Sequence, residues 1–143
     1  MKKFKFRLEK VFQYRISIQD DKKRILTEYL IQIREQEDKL ANYLQEQDKN
    51  WVSEYNNLAG YQLQTVFATR LSTQINKTRD KISELEKLAE EARVEYVEAT
   101  KDVQSLETLK KKQLEEYQQY VHKMDEKFLD ELTVQKGNRL QGE

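Results

Sequence analysis

Apolar residues recur along this chain at intervals of three, four and seven, the spacing that lines side chains along one stripe of an α-helix. In the first part the series runs Phe4, Leu8, Val11, Ile18, Ile25 and Tyr29, and a second set follows as Leu26, Leu30, Ile33, Leu40, Leu44, Trp51, Tyr55 and Leu58. In the second part it runs Leu63, Val66, Phe67, Leu71, Ile75, Ile82, Leu85, Ala89, Ala92, Tyr96, Ala99, Val103 and Leu106. From Ile75 to Leu106 the three-four alternation holds almost without fault, which is a coiled-coil repeat rather than the broader face of a globular helix. The opening FKFRL pulls the other way, because Phe4, Phe6 and Leu8 alternate with Lys5 and Arg7 in the period-2 pattern of a half-buried strand. Phe4 also fits the helical series and Phe6 does not, so the reading is a helix starting near residue 4, with the alternation a short accident or a frayed first turn.

The break lies at NNLAGYQ, where two Asn and then Gly60, just past Leu58, predict a left-handed helix cap. The predicted fold is all-α: a long antiparallel two-helix coiled-coil hairpin in one domain, with helix 1 over about 4–58, a turn over about 56–62, helix 2 over about 63–134 and a frayed tail at 135–143. Pairing residues whose numbers add to about 120 sets Leu44 near Ile75, Leu30 near Ala89 and Ala92, and Trp51 near Phe67 and Leu71 as a core anchor. At ~1.5 Å per residue each paired arm is then roughly 80 Å long. In that register the helix beyond residue 119 has no partner in the chain, yet it carries Tyr117, Tyr120, Val121, Met124, Phe128 and Leu132 on one stripe. A wider turn, over roughly 58–72, stays open as the alternative; it would pack Phe4, Leu8 and Val11 on Phe128, Met124 and Tyr120.

Composition agrees with long helix. Only 37% of the 143 residues are hydrophobic and 36% are charged, too polar for a thick globular core, while zero Pro and three Gly argue against disorder. The absence of cysteine excludes disulfide and thiolate chemistry. One histidine, His122, builds no metal site and reads as a surface residue. No nucleotide-cradling Gly-rich loop and no walled pocket for the abundant carboxylates are evident, so the expectation is no enzyme activity, no cofactor and no metal. No apolar run is long enough to span a bilayer, so the chain is expected in the cytoplasm without direct membrane insertion. Lys2, Lys3, Lys5, Arg7, Lys10 and Arg15 face a single Glu9 near the N-terminus, but with a pI near 6.7 and no reader motif, nucleic acid is not the expected partner.

Phe4, Phe6, Leu8, Lys10, Val11, Tyr14 and Arg15 form F-x-F-x-L-x-K-V-x-x-Y-R, and the second helix ends in LKKKQLEEYQQY followed by MDEKFLDEL. On these segments and its length the chain resembles the FliJ family of flagellar type III export proteins. The resemblance implies a non-enzymatic, cytoplasmic stalk, peripheral at the flagellar base. It also implies three partners: the hexameric export ATPase, the cytoplasmic part of the membrane export gate, and export chaperones. For the gate it implies Gln36, Leu40 and Tyr43 on helix 1, with Leu71, Ile75 and Thr78 as a looser match on helix 2. For the ATPase ring the corresponding hypothesis is Lys3, Phe4, Lys5, Arg7, Leu8 and Val11 with Tyr120, Met124 and Phe128. A generic coiled-coil adaptor or chaperone, and the stalk of a virulence secretion system, are the alternatives.

Overall fold

A computed structural model of the chain describes residues 3–141. It holds two helices, α1 (Glu9–Val52) and α2 (Leu58–Gln141). The described residues divide into two compact units, one drawn from Met1–Ser17 and Thr100–Glu143, the other Ile18–Ala99. Both helices run from one unit into the other, and no proline interrupts either.

In the Ile18–Ala99 unit the helices pack antiparallel. Lys22 Nζ lies 3.0 Å from Glu95 Oε2, and near the other end Asn50 and Gln64 exchange hydrogen bonds. The α2 side of the seam follows the sequence pattern: Leu71, Ile75, Thr78, Leu85, Ala89, Ala92 and Ala99 are buried, with Ile82 and Tyr96 half-buried between them. The α1 side follows it in part: Ile18, Ile25, Leu26, Tyr29, Ile33, Leu40 and Leu44 are half-buried as expected, whereas Leu30, Trp51, Tyr55 and Leu58 are exposed. Among its inward residues one line, at alternating steps of four and three, runs Lys22, Leu26, Tyr29, Ile33, Gln36, Leu40, Tyr43, Gln47 and Asn50, so polar side chains share the seam with apolar ones.

The sequence reading of α1 is therefore corrected. Trp51, expected as a core anchor, is 86% exposed, and Leu30, expected opposite Ala89 and Ala92, is 46% exposed. Trp51 follows Asn50 by one residue, about 100° round the helix, and it is Asn50 that occupies the inward position. Polar residues hold that line because their groups are satisfied: among the described residues no buried side-chain nitrogen or oxygen lacks a hydrogen-bond partner.

The turn is also earlier and built differently. Residues 53–57 separate the helices, so Asn50 meets Gln64 where the expected register would place it near Arg70. Gly60 lies within the first turn of α2 rather than capping α1, and no glycine among the described residues has a positive φ. Asn57 is the N-cap: its Oδ1 accepts the Gly60 amide at 2.7 Å, and its carbonyl accepts the Tyr61 amide at 3.2 Å. What requires glycine at 60 is space. A Cβ there would fall 2.7 Å from Tyr55 Cβ and 2.9 Å from the capping Asn57 oxygen.

At the other end of the chain, residues 3–6 are neither helix nor strand, 7–8 form a turn, and α1 starts at Glu9 rather than near residue 4. Glu9 N donates to Phe6 O at 3.1 Å, closing that turn. The alternation in FKFRL is thus a true signal of facing, although no strand forms: Phe6 is 7% exposed, Phe4 and Leu8 are half-buried, and Lys3, Lys5 and Arg7 are exposed. Phe4 meets Tyr117 at a ring-centroid distance of 5.6 Å, which overturns the wide-turn alternative that would have set it on Phe128. Residues 58–72 are helical throughout. At the C-terminal side α2 continues through the expected frayed tail to Gln141, with Gly137 inside it, tolerated at a cost of about 1 kcal/mol relative to Ala. Lys2 and the last two tail residues lie outside the described residues.

Gly60→Ala should destabilise the protein although alanine is the better helix former. Overpacking against Tyr55 costs ~1–3 kcal/mol, against ~1 kcal/mol gained in propensity. Urea unfolding is the measurement, and relative to Tyr55→Gly alone, which removes the Cβ that the new methyl would meet, adding Gly60→Ala should cost less than it does in the parent chain. An increase in stability for the single variant would show that the turn does not need this close approach.

Candidate functional site

The unit holding the N-terminus brings together an aromatic arm, a charged pair and an uncovered helical face. Phe6, the only aromatic among the buried core residues described, stands edge-on to Phe12 with centroids 6.4 Å apart. Lys110 Nζ lies 5.3 Å from the Phe12 centroid and 6.0 Å from that of Phe6, within reach of cation–π attraction. The same ammonium contacts Glu9 Oε2 at 2.8 Å, and Arg15 pairs with Asp102 at 3.3 Å farther along α1. The hydrogen bond from Lys110 foremost, and then one from Gln13, hold the Glu9 carboxyl below its ordinary value, against an opposing desolvation effect.

Past Tyr117 the helical row goes on without cover. Tyr120, Met124, Phe128 and Leu132 are exposed at successive steps of four, with Leu129 and Val134 exposed beside them, while Val121 is half-buried. Residues four apart share a helix face, so this is a contiguous apolar row. His122 Nε2 lies 3.1 Å from Glu126 Oε1, an exposed contact one turn apart.

The residues hypothesised for the ATPase ring thus fall in one unit but differ in access. Lys3, Lys5, Arg7, Val11, Tyr120, Met124 and Phe128 are exposed, whereas Phe4 and Leu8 turn inward. The residues carried over for the gate fall in the other unit and line its seam. Gln36, Leu71, Ile75 and Thr78 are buried, Leu40 and Tyr43 are half-buried, and the register set by Lys22–Glu95 and Asn50–Gln64 lays the Gln36–Tyr43 stretch along Leu71–Thr78. Sequence reasoning missed Phe6, Phe12 and Lys110; the alternation in FKFRL was the signal for Phe6, and nothing local marked Lys110. It also missed an open groove of about 980 Å³ near the turn, lined in part by Trp51, Tyr61, Gln64, Ala68, Thr69 and Ser72.

No group of His, Cys, Asp or Glu residues among those described could hold a metal ion, and no described helix is long and apolar enough to cross a membrane. The fold and these faces define a coiled-coil hairpin protein with an uncovered apolar row and a basic arm. The family model described as Flagellar FliJ protein matches residues 4–142, and the chain belongs to that family. The membership gives it a role connected with flagellar export, in a family of non-catalytic export proteins. Neither a curated protein nor a solved structure gives a match to the chain.

The Glu9–Lys110 pair predicts a pH response. Because the Glu9 pKa is lowered in the folded chain, its contribution to holding the arm is complete above the ordinary glutamate range and is lost as pH falls through the lowered value. The Glu9 side-chain carboxyl carbon, followed by NMR, should titrate below the value of an unstructured glutamate. Glu9→Gln should abolish the acid-side change in the Phe6 and Phe12 ring resonances; a ring response that persists in that variant would assign it to another group.

Proposed function

We propose that this protein is a non-enzymatic stalk component of the flagellar type III export apparatus, acting in the cytoplasm at the flagellar base. On this reading it binds the hexameric export ATPase through the unit that holds its N-terminus, and couples or stimulates that ATPase toward the membrane export gate. Family membership supports the setting. The single observation that carries the binding site is the uncovered row Tyr120, Met124 and Phe128 in the same unit as the outward Lys3, Lys5 and Arg7. An apolar row of this kind gains by burial in a socket, and exposed charges beside it act on the rate of encounter. Val11 adds to the apolar contacts, and Phe4 and Leu8 are accessible to the ring only if the arm moves.

The two sets should separate in binding kinetics with the flagellar export ATPase. Neutralising Lys3, Lys5 and Arg7 should slow association severalfold at low salt and have little effect at high salt, because exposed charges are screened beyond ~8 Å at physiological ionic strength. Met124→Ala with Phe128→Ala should speed dissociation roughly 30-fold at any salt, the effect of losing about 2 kcal/mol at an anchor, and should abolish ATPase stimulation. Full stimulation by a chain ending at residue 119 would overturn the proposed site.

Gate binding is proposed for the other unit, at the level of Gln36, Leu40 and Tyr43 with Leu71, Ile75 and Thr78, and export chaperones are proposed as further partners. Since the gate residues line the seam, Tyr43→Ala should lower the urea midpoint as well as gate affinity, by an amount in the range of about 1–3 kcal/mol. A variant that lost gate binding at unchanged stability would mean that Tyr43 meets the gate directly.

A further inference from the structure

We infer that the N-terminal arm is a movable cap on the apolar row of α2, closed over Tyr117 in the free chain and lifted when a partner takes the row from Tyr117 to Phe128. The inference rests on the reading of that row as the ATPase-binding site. Three observations lead to it. Tyr117, Val121, Met124 and Phe128 continue, at steps of four and three, the line that is buried at Val103 and half-buried at Leu106, so a helix laid along the exposed part would naturally extend onto Tyr117. That position is already taken, by the Phe4 ring. The segment that takes it has no helix or strand of its own at residues 3–6; Phe6 is seated by ring packing and by the amide of Glu9 on its carbonyl.

The cap has a fixed point and a free part. Glu9, in the first turn of α1, is tied to Lys110, so the arm pivots at the start of the helix while the pair stays closed. Lys3, Lys5 and Arg7 face outward in the closed state. They are available to an approaching acidic surface before the arm opens, and their attraction to it acts on the rate of encounter. Lifting the arm frees Tyr117 and turns Phe4 and Phe6 from intramolecular packing to contacts a partner can use. Thermodynamically the closed arm lowers apparent affinity by the fraction of molecules that are open, so anything that holds it shut weakens the partner and anything that frees it strengthens the partner.

The test uses the full chain, whose lack of cysteine makes labelling unambiguous. Lys3→Cys with Gln118→Cys, which leaves the Phe4 and Tyr117 rings in place, is joined by a bifunctional thiol reagent, and binding of the assembled flagellar export ATPase is compared with that of the same variant left unjoined. Joining should weaken binding roughly two- to tenfold, the span expected for the competition of one aromatic contact. In the unmodified protein, binding should speed amide hydrogen exchange at Glu9, whose N–H is held by Phe6 in the closed arm. Equal affinity of joined and unjoined forms, or slower exchange at Glu9 on binding, would overturn the cap while leaving the ring-binding site in place. Failure of the two positions to crosslink would contradict the closed arm itself, and absence of binding in both forms would overturn the ring-binding reading together with the cap.

Discussion

The arrangement of the Ile18–Ala99 unit depends on two amide side chains at its turn. Asn50 Nδ2 donates to the Gln64 carbonyl at 3.2 Å, and Gln64 Nε2 donates to the Asn50 carbonyl at 2.6 Å and to that of Ser53 at 3.0 Å. A heptad seam by itself tolerates sliding by a repeat, since one apolar layer resembles the next. Paired amides do not, because a slip leaves their donors and the backbone carbonyls they meet, part-buried here, without those partners. The register of α1 against α2 is therefore set where Asn50 and Gln64 meet, and the levels at which Lys22 meets Glu95 and Gln36–Tyr43 lies along Leu71–Thr78 follow from it.

The two faces of that seam are unequal in chemistry. The α2 side is a run of aliphatic and small residues, and each fully buried Leu or Ile contributes about 1.5–3 kcal/mol. The α1 side alternates apolar residues with Lys22, Gln36, Gln47 and Asn50. Such a surface binds one partner helix specifically at modest strength, because polar groups held at fixed levels reject other registers. The residues proposed for the gate lie in this seam, so a substitution at any of them acts on the packing of α1 against α2.

In the unit that holds the N-terminus the controlling element is Lys110. It lies over Phe12 and near Phe6, and it neutralises Glu9 at the first turn of α1. These contacts seat Phe6, and Phe6 in turn places Phe4 on Tyr117. Where the arm ends, the apolar row becomes accessible. The boundary between the packed part of α2 and its exposed apolar row is thus drawn by a few residues of irregular chain.

The two helices and the α2 seam were legible in the sequence because they rest on period: Leu71 to Leu106 repeats at three and four, and nothing in the fold competes with it. The uncovered row was legible for the same reason, together with the arithmetic of two helices of unequal length. The α1 seam was legible only in part: Leu26, Ile33, Leu40 and Leu44 turn inward as their spacing says, but apolar pattern alone also favours Trp51 and Leu30, and only the meeting of Asn50 with Gln64 shows that an amide takes the inward place near the turn. Gly60 likewise drew the turn toward itself, when its need is room for Tyr55 rather than a left-handed backbone. The alternation in FKFRL announced which side chains turn inward, but what they turn toward, Lys110 and Tyr117, is roughly a hundred residues away in sequence and was decided by tertiary packing.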